Sequence, residues 1–290
     1  MSESRSNRPL TIADILIYAF MILVVLICLV PFLYMLALSL SSPQAIIQNK
    51  VSLIPIGWNV EAYKQIFSYP NFFRGYANTI FYTAAGTFIS LFITTLFAYA
   101  MSKRFLKGHK IVMKLIVFSM FFSGGLIPTY LLISNLHLTG TVWAMLIPFA
   151  INQFNLIILI NFFRALPEEI EEAAIIDGLD YFGILRRVIL PLSTPALATI
   201  GLFTAVFFWN DWFNGLIYLN TDQYPVMLYL RNIVNGTAMV GDGAGSADKS
   251  TIAMSIKSAV IITSTLPIIL LYPLLQRFFV AGLTVGSLKG

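Results

Sequence analysis

Acidic side chains are concentrated in one short stretch of the chain, between two long apolar runs. Glu168, Glu169, Glu171 and Glu172 follow one another closely, and arginines and prolines complete the segment up to residue 197. Neighbouring carboxylates can serve as general acid and general base, which is the chemistry that a membrane-embedded transferase requires. Acids in the first turn of a helix also stabilise the helix, because they complement its dipole. The choice between these roles depends on where the segment lies.

A glycine-rich stretch, residues 241–251 (GDGAGSADKST), is a second candidate for chemistry, because glycine-rich loops can hold phosphate. The phosphate-binding pattern G-x-x-x-x-G-K-[ST] requires glycine directly before the lysine. Here Asp248 precedes Lys249, and no apolar strand-like run comes before the stretch. We therefore predict a flexible loop and no nucleotide site in this chain.

The composition indicates a membrane protein. Of the 290 residues, 58% are hydrophobic and 11% are charged, with a mean hydropathy of +0.82. A soluble domain carries about 25% charged residues. The net charge of +5 does not indicate nucleic-acid binding, because the basic residues are scattered at the ends of apolar runs and form no stripe.

Six apolar stretches are long enough to cross a bilayer, which takes about 20 residues per helix. They are residues 12–40, 78–101, 111–133, 142–163, 190–213 and 255–278. We expect an all-α integral membrane fold with six transmembrane helices. The first stretch exceeds the apolar part of a signal peptide, so we expect it to be retained, with a cleaved signal as the alternative.

The basic residues set the orientation. Lysine and arginine occur in the N-terminal tail, in residues 102–110, in the acidic segment and in the C-terminal tail, whereas residues 134–141 contain neither. Cytoplasmic loops are the basic ones, so we expect both termini and the acidic segment in the cytoplasm. His109 and His137 then lie on opposite sides of the membrane and cannot share a metal. Cys28 has no cysteine partner for a disulfide.

The acidic segment has the signals of two short helices. Pro167 suits a first helical turn, the acids follow it, and Asp177-Gly178 is typical of a helix end. Asp180 can cap a second helix, and Pro191 and Pro195 predict a bend into the fifth apolar stretch. Helices this short need a surface to pack on, which is either a partner protein or the membrane interface.

The spacing within this segment closely resembles the EAA signature of ABC importer permeases, E-A-A-x-x-x-G-x(9)-I-x-L-P. The motif positions are Glu172, Ala173, Ala174, Gly178, Val188, Leu190 and Pro191. Only Val188 departs from the pattern, which prefers isoleucine there. The resemblance implies the type I ABC importer permease fold, in which residues 179–185 form a coupling helix that docks in a groove of the cytoplasmic ATPase. The residues it assigns to ATPase coupling are Glu172, Ala173, Ala174, Gly178, Leu179, Tyr181, Phe182, Leu185 and Pro191.

Residues 164–178 and 276–290 are similar to the carbohydrate-uptake branch of these permeases, in particular to the maltose-permease G-type subunits. The resemblance implies a multi-pass protein of the bacterial cell membrane that imports an oligosaccharide. It also implies that the tail contacts the ATPase, through Gly286, Ser287, Leu288, Lys289 and Gly290. The implied partners are a second EAA-type permease, two ATPase subunits that bind ATP and magnesium, and an extracytoplasmic solute-binding protein.

We divide the chain into residues 1–77, with the N-terminal tail, first helix and first outer loop, and a core permease domain, 78–290, whose EAA loop is 164–195. Polar and aromatic side chains in two stretches are candidates for the carbohydrate path, because sugar rings stack on aromatic rings and sugar hydroxyls need hydrogen-bond partners. These residues are Asn152, Asn155, Trp209, Asn210, Asp211 and Trp212. The alternatives are an aromatic belt with a solvated Asp211, and an amide cluster that joins helices.

Two other classes of protein remain as alternatives. An ion-coupled secondary transporter usually has ionisable residues within its spans and paired interrupted helices, whereas Asp14, Lys114, Asp211 and Lys257 lie near span ends. A membrane-embedded transferase needs an acid cluster, and the EAA resemblance accounts for the one present. No H-E-x-x-H or G-x-S-x-G motif occurs, so we expect no enzyme and no metal site.

Overall fold

The computed structural model describes residues 11–242 and 247–286, and within these residues the regular secondary structure is entirely helical. The helices are α1 (Ile12–Ser39), α2 (Pro43–Ile47), α3 (Glu61–Phe67), α4 (Phe72–Ser102), α5 (His109–Phe121), α6 (Leu126–Asn135), α7 (Trp143–Leu146), α8 (Gln153–Ala165), α9 (Glu168–Ile176), α10 (Tyr181–Ile184), α11 (Leu190–Leu192), α12 (Thr194–Asn210), α13 (Phe213–Tyr218), α14 (Val226–Asp242) and α15 (Ala247–Gly286). A π-helical turn, Leu185–Ile189, joins α10 to α11, and a 3-10 turn, Thr221–Gln223, precedes α14.

Three helical stretches among the described residues are long and apolar enough to cross a membrane: α1, α4 and Ala253–Leu271 within α15. Two bent pairs can each be one further span. In the first pair α5 and α6 meet at 117°, and in the second α12 follows Tyr181–Leu192 at 81°. By length and composition the described residues therefore hold three spans, or up to five.

The predicted fourth span, residues 142–163, is not one continuous helix. It divides into α7, of four residues, and α8, of 13 residues. At 1.5 Å per residue α8 is about 20 Å long, less than the hydrocarbon thickness of about 30 Å. Pro148 lies in the break, and Asn152 starts α8 by accepting a hydrogen bond from the Asn155 backbone N–H at 3.1 Å.

The predicted third span, residues 111–133, is also interrupted. α5 ends at Phe121, and α6 begins after Gly125, whose φ of +86° lies in the region that glycine tolerates and other residues avoid. This glycine explains why the chain turns sharply there instead of continuing as one helix.

The chain forms two compact units. The first consists of Met1–Ser68 with Ile233–Ser264, and the second of Tyr69–Asn232 with Thr265–Gly290. In the first unit, α1 exposes its apolar side chains from Ile12 to Val30 and buries Ala37, Leu38 and Ser39. Exposed apolar surface of this extent is what a lipid-facing helix requires.

In the second unit, α4 packs against α12 and α8. Its buried face has small residues at helical spacing: Gly75, Thr79, Gly86, Ser90, Thr94 and Ala98. A Cβ at Gly86 would lie 2.5 Å from the ring of Phe208, so glycine allows α12 to approach this closely. Small residues at a helix interface give membrane helices their close packing.

Candidate functional site

The acidic segment folds as a helix, a glycine turn and a second helix, as its local signals predict. α9 follows Pro167, holds acids in its first turn and ends at Asp177. Gly178 has a φ of +81°, which reverses the chain direction at little cost only for glycine. Asp180 then starts α10 by accepting a hydrogen bond from the Gly183 backbone N–H at 2.9 Å.

The second helix has one exposed aromatic face and one buried aliphatic face. Tyr181 and Phe182 are 56% and 61% exposed, whereas Ile184 and Leu185 pack in the core with α8 residues. Of the bulky residues assigned to ATPase contact, Tyr181 and Phe182 are therefore the two that reach the surface of this chain. Exposed large apolar side chains are typical of a surface that a partner covers.

The π-helical turn carries the chain from this surface toward α12. The Leu190 backbone N–H donates to the Leu185 carbonyl, one residue further back than in an α-helix. Pro191 follows directly and has no N–H to donate. The 81° bend comes at Ser193, which is buried.

Charged side chains attach α8 and α9 to the end of α4. The Lys103 ammonium donates to Glu171 Oε2 and lies 4.8 Å from the centre of the Tyr99 ring, and both members of the ion pair are only 18% exposed. Arg164 Nη2 donates to the Met101 carbonyl at 2.8 Å. It also lies 2.9 Å from His109 Nε2, which must accept because a guanidinium has only donors.

These groups surround a cavity of about 510 Å³, which we call the charged cavity. Its charged lining residues are Lys103, Arg104, Arg164, Glu168, Glu171 and Glu172. Positive and negative side chains are therefore equal in number. Paired charges at the end of a helix bundle can hold elements together at a fixed geometry.

Asn152 and Asn155 line a different cavity of about 790 Å³, which we call the membrane cavity. Asn155 is buried, and its Nδ2 donates to Thr204 Oγ1 at 3.4 Å, so it also connects α8 to α12. Five phenylalanines line the cavity: Phe122, Phe149, Phe154, Phe203 and Phe207. Six further hydroxyl and amide residues line it: Ser90, Ser119, Ser123, Thr129, Gln153 and Thr204.

The other four predicted path residues lie outside the membrane cavity, around the end of α12. Trp209 is buried with its ring centre 6.0 Å from that of Tyr76. Asn210 is exposed and donates to the Val206 carbonyl at 2.9 Å. Trp209 and Asn210 therefore contact neighbouring residues and do not line the membrane cavity with the two asparagines.

Asp211 is 8% exposed and accepts hydrogen bonds from the Asn214 backbone N–H and Nδ2, at 3.1 and 2.8 Å. It therefore caps the start of α13. The guanidinium carbon of Arg231 lies 3.6 Å from the centre of the Trp212 ring, a cation–π contact. Asp211 and Trp212 have structural partners within the second unit.

The membrane cavity also contains residues that the sequence did not point out, namely the serines, threonines and phenylalanines. Two helix interruptions locate these residues. The interruption at Gly124-Gly125 follows Ser123, which lines the cavity, and the other interruption contains Pro148, which lines it as well.

In the tail, Ser287, Leu288, Lys289 and Gly290 lie outside the described residues, and Gly286 ends α15. The described residues contain no group of three His, Cys, Asp or Glu side chains that could hold a metal ion.

The long apolar helices and the glycine-hinged helix pair fit the class of transport permeases. Comparison with known proteins identifies the family. The chain is 42% identical over 283 residues to the polygalacturonan/rhamnogalacturonan transport system permease protein YtcP of Bacillus subtilis (strain 168), covering 96% of this chain and 98% of that protein. It is 42% identical over 294 residues to the protein LplC of the same strain, covering 100% and 98%. No family model matches the chain.

A solved structure has the same fold. The crystal structure of a bacterial ABC transporter involved in the import of the acidic polysaccharide alginate contains a chain with a TM-score of 0.81 and 33% identity, covering 96% of this chain and 99% of that one. The protein belongs to the permeases of ABC transporters, in the branch that includes sugar-transport permeases. It is a bacterial inner-membrane transport protein and not an enzyme, as the sequence predicts.

Proposed function

We propose that the chain is the permease subunit of an ATP-driven ABC importer for a carbohydrate, specifically an oligosaccharide. The observation that carries this proposal is the 42% identity, over nearly the whole chain, to a permease of a polysaccharide-fragment transport system. The EAA spacing and the fold of the alginate-transporter chain support it. The chain supplies half of an alternating-access path, and ATP hydrolysis in the partner subunits drives the switch between its two conformations.

Coupling to ATP runs through the EAA loop, residues 164–195. The exposed Tyr181 and Phe182 enter a groove of the ATPase, and Glu172 and Gly178 hold the hinge that presents them. ATPase closure then pushes on α10, and the charged contact between Glu171 of α9 and Lys103 carries the displacement to α4. Residues 286–290 form a second ATPase contact.

The assembly comprises this chain, a distinct second EAA-type permease, two ATPase subunits and an extracytoplasmic solute-binding protein. ATP and magnesium bind to the ATPases. We further propose six spans with both termini in the cytoplasm, the bent pairs and the α7–α8 region each counting as one span. The division into residues 1–77 and a core permease domain, 78–290, belongs to the same proposal.

The test is uptake by the complete transporter in proteoliposomes. Radiolabelled neutral and acidic oligosaccharides are offered outside together with the binding protein, and ATP is enclosed with the ATPases. We expect uptake that requires ATP, is lost with an ATPase unable to hydrolyse it, and persists with an uncoupler. An assembled transporter that hydrolyses ATP but takes up no carbohydrate contradicts the proposal.

One observation favours an ion-coupled secondary transporter as the second candidate. Two apolar stretches are interrupted helices, which are typical of such proteins. The residues lining the membrane cavity, however, include no ionisable side chain that could carry a coupling proton. Uptake that continues after ATP depletion but stops with an uncoupler would identify the chain as an ion-coupled transporter.

A further inference from the structure

The connection between α2 and α3 exposes large apolar side chains although it contains no helix or strand. We call residues 53–58 of this connection the apolar loop. Its exposed apolar residues are Leu53, Ile54, Ile56 and Trp58. Ile54 and Trp58 are 72% and 76% exposed, and none of residues 51–60 is charged. Apolar side chains exposed so close together indicate a surface that a protein or a membrane covers.

Backbone hydrogen bonds attach the apolar loop to the C-terminal end of α1. The Ile56 backbone N–H donates to Ser41 Oγ at 3.1 Å, and the Ile56 carbonyl accepts from the Ser42 backbone N–H at 3.1 Å. The Asn59 backbone N–H donates to the Leu40 carbonyl at 2.9 Å. The position of the loop along the axis of α1 is therefore fixed.

The length of α1 sets the depth of this attachment in the membrane. α1 has 28 residues, and at about 1.5 Å per residue it is about 42 Å long. A bilayer with its headgroup regions is about 40–45 Å thick. Since α1 is apolar enough to cross a membrane, its two ends lie at the two headgroup layers. The apolar loop, held at residues 40–42, lies level with one of these layers.

The chemistry of the loop fits a headgroup layer. Its backbone forms no helix, and such backbone is excluded from the hydrocarbon core because its polar groups need water. Its apolar side chains, in contrast, are stabilised by leaving water, and tryptophan is enriched at the membrane–water interface. Lys50 is exposed just before the loop, where an ammonium can pair with lipid phosphate.

A docking protein fits the loop less well than lipid does. A solute-binding protein has to dock and leave in every transport cycle, and transient interfaces are only about as apolar as the rest of a protein surface. The apolar loop instead continues the exposed apolar surface of α1, to which it is attached.

We propose that the apolar loop is a membrane-interface anchor, which inserts its side chains among the lipid headgroups at the C-terminal end of α1 while its backbone stays hydrated. Its partner is the lipid surface. Because the loop is attached to residues 40–42, the anchor holds this end of α1 at a set depth. The inference requires that α1 crosses the membrane and does not depend on the transported solute.

The first experiment measures the depth of the loop in the complete transporter in lipid nanodiscs. Cys28, the only cysteine, is replaced by serine, and Ile54→Cys carries an uncharged fluorophore. We expect a nitroxide on the acyl chain near the headgroup to quench this label several-fold more than a nitroxide at the chain end. Val25→Cys, at the middle of α1, gives the opposite order. Lys64→Cys on the exposed side of α3 is quenched less than Ile54→Cys by either lipid.

An Ile54→Cys label that neither lipid quenches, or that the chain-end nitroxide quenches most, overturns the inference. If neither lipid quenches it and added solute-binding protein shifts its emission, the loop is a protein-docking surface instead. Trp58→Cys repeats the measurement if Ile54→Cys does not assemble. No transport is measured, so a failure here leaves the proposed function standing, and a failure of carbohydrate uptake leaves the depth of the loop unchanged.

The second experiment uses the charge of the lipid. Ile54→Lys places a cation at the loop, and Ile54→Asp places an anion there. We expect Ile54→Lys to unfold several degrees above Ile54→Asp in nanodiscs of anionic lipid, because anionic headgroups attract the cation and repel the anion. The matched control is the same pair in zwitterionic lipid, where the difference in Tm disappears. An equal difference in both lipids overturns the inference, since a contact made only with protein does not depend on lipid charge.

Discussion

The two cavities of the second unit differ most in charge. The charged cavity, of about 510 Å³, has three basic and three acidic side chains in its lining, including the ion pair of Lys103 and Glu171. The membrane cavity, of about 790 Å³, has none of either kind. The desolvation cost of an ion pair is small near water, because each group keeps part of its hydration. Such a pair can fix the distance between two helices.

One helix runs past both cavities. Ser90 of α4 lines the membrane cavity, and Ser102, 12 residues later, lines the charged cavity. Along a helix this separation is about 18 Å. A displacement of α9 that reaches α4 through Lys103 therefore reaches the wall of the membrane cavity as well. The difference in charge thus parallels the proposed division between a part that transmits movement and a part that receives solute.

The sharpest test of the difference adds the same charge to both cavities. In Ser90→Asp the new carboxylate is buried at mid-span, where a charge costs about 2.5–3.5 kcal/mol on insertion scales. We expect a large loss of folded transporter in the membrane, measured by fluorescence-detected size exclusion. Ser102→Asp is the control on the same helix. It lies beside Lys103 and Arg104, and we expect a change within about 0.5 kcal/mol. Equal effects would remove the distinction between the cavities.

The second test breaks the charged contact. Lys103→Glu places two carboxylates together and removes a charged hydrogen bond worth about 1.5–3 kcal/mol. We expect binding-protein-stimulated ATP hydrolysis to become uncoupled from uptake, because α9 is no longer attached to α4. The double variant Lys103→Glu/Glu171→Lys restores the opposite charges and with them the ratio of uptake to ATP hydrolysed. A double variant no better than the single one shows that the pair has no such role.

The third test acts on the hinge alone. A Cβ added at Gly178 would meet no atom within 4 Å, so only the positive φ of this residue disfavours other side chains there. An ordinary L-residue in this conformation costs about 1–2 kcal/mol, and a β-branched one is the least tolerant. We expect Gly178→Val to weaken co-purification of the ATPase while the helices stay inserted. Gly178→Asn, which tolerates this conformation better, retains more of the complex. Equal co-purification of both variants with wild type contradicts the hinge role.

The smallest effect concerns the neutral contact between α8 and α12. Asn155→Ala removes the hydrogen bond to Thr204 and leaves its hydroxyl without that partner, at a cost of about 1 kcal/mol. Thermal unfolding in detergent measures this as a modest decrease in Tm. Replacing both partners by apolar residues of similar shape, Asn155→Leu/Thr204→Val, recovers stability. Recovery of stability without recovery of uptake assigns Asn155 to the solute path as well as to packing.

The helix–turn–helix structure of the acidic segment was predictable from the sequence because its signals are local. Pro167, the acids of α9, Gly178 and Asp180 act within a few residues of their own positions, and the structure has the predicted helix, turn and helix. Burial of Leu185 was not predictable in the same way. Its environment depends on the α8 side chains that pack over it.

The membrane part was predictable only in outline. Apolar length locates helices, but glycine and proline are common in membrane helices, so Gly125 and Pro148 did not mark breaks. Asn152 and Asn155 stood out because amides are rare in apolar runs. The serines and phenylalanines beside them did not, because these residues also occur where helices pack or face lipid. Trp209 and Asp211 were grouped with the asparagines by chemistry, and tertiary packing separates them.

The π-helical turn at Leu185–Ile189 has a consequence for how this segment tolerates insertions and deletions. A π turn contains one residue more than an α turn in about one full rotation, so it absorbs that residue without changing the phase of the chain on either side. Deletion of a single residue there would let the chain form a regular α-helix that still presents Tyr181 and Phe182 in the same direction relative to the residues after the turn. A one-residue deletion inside α12 would instead rotate the residues on one side of it by about 100° relative to the other, so single-residue deletions should be better tolerated at Leu185–Ile189 than within α12.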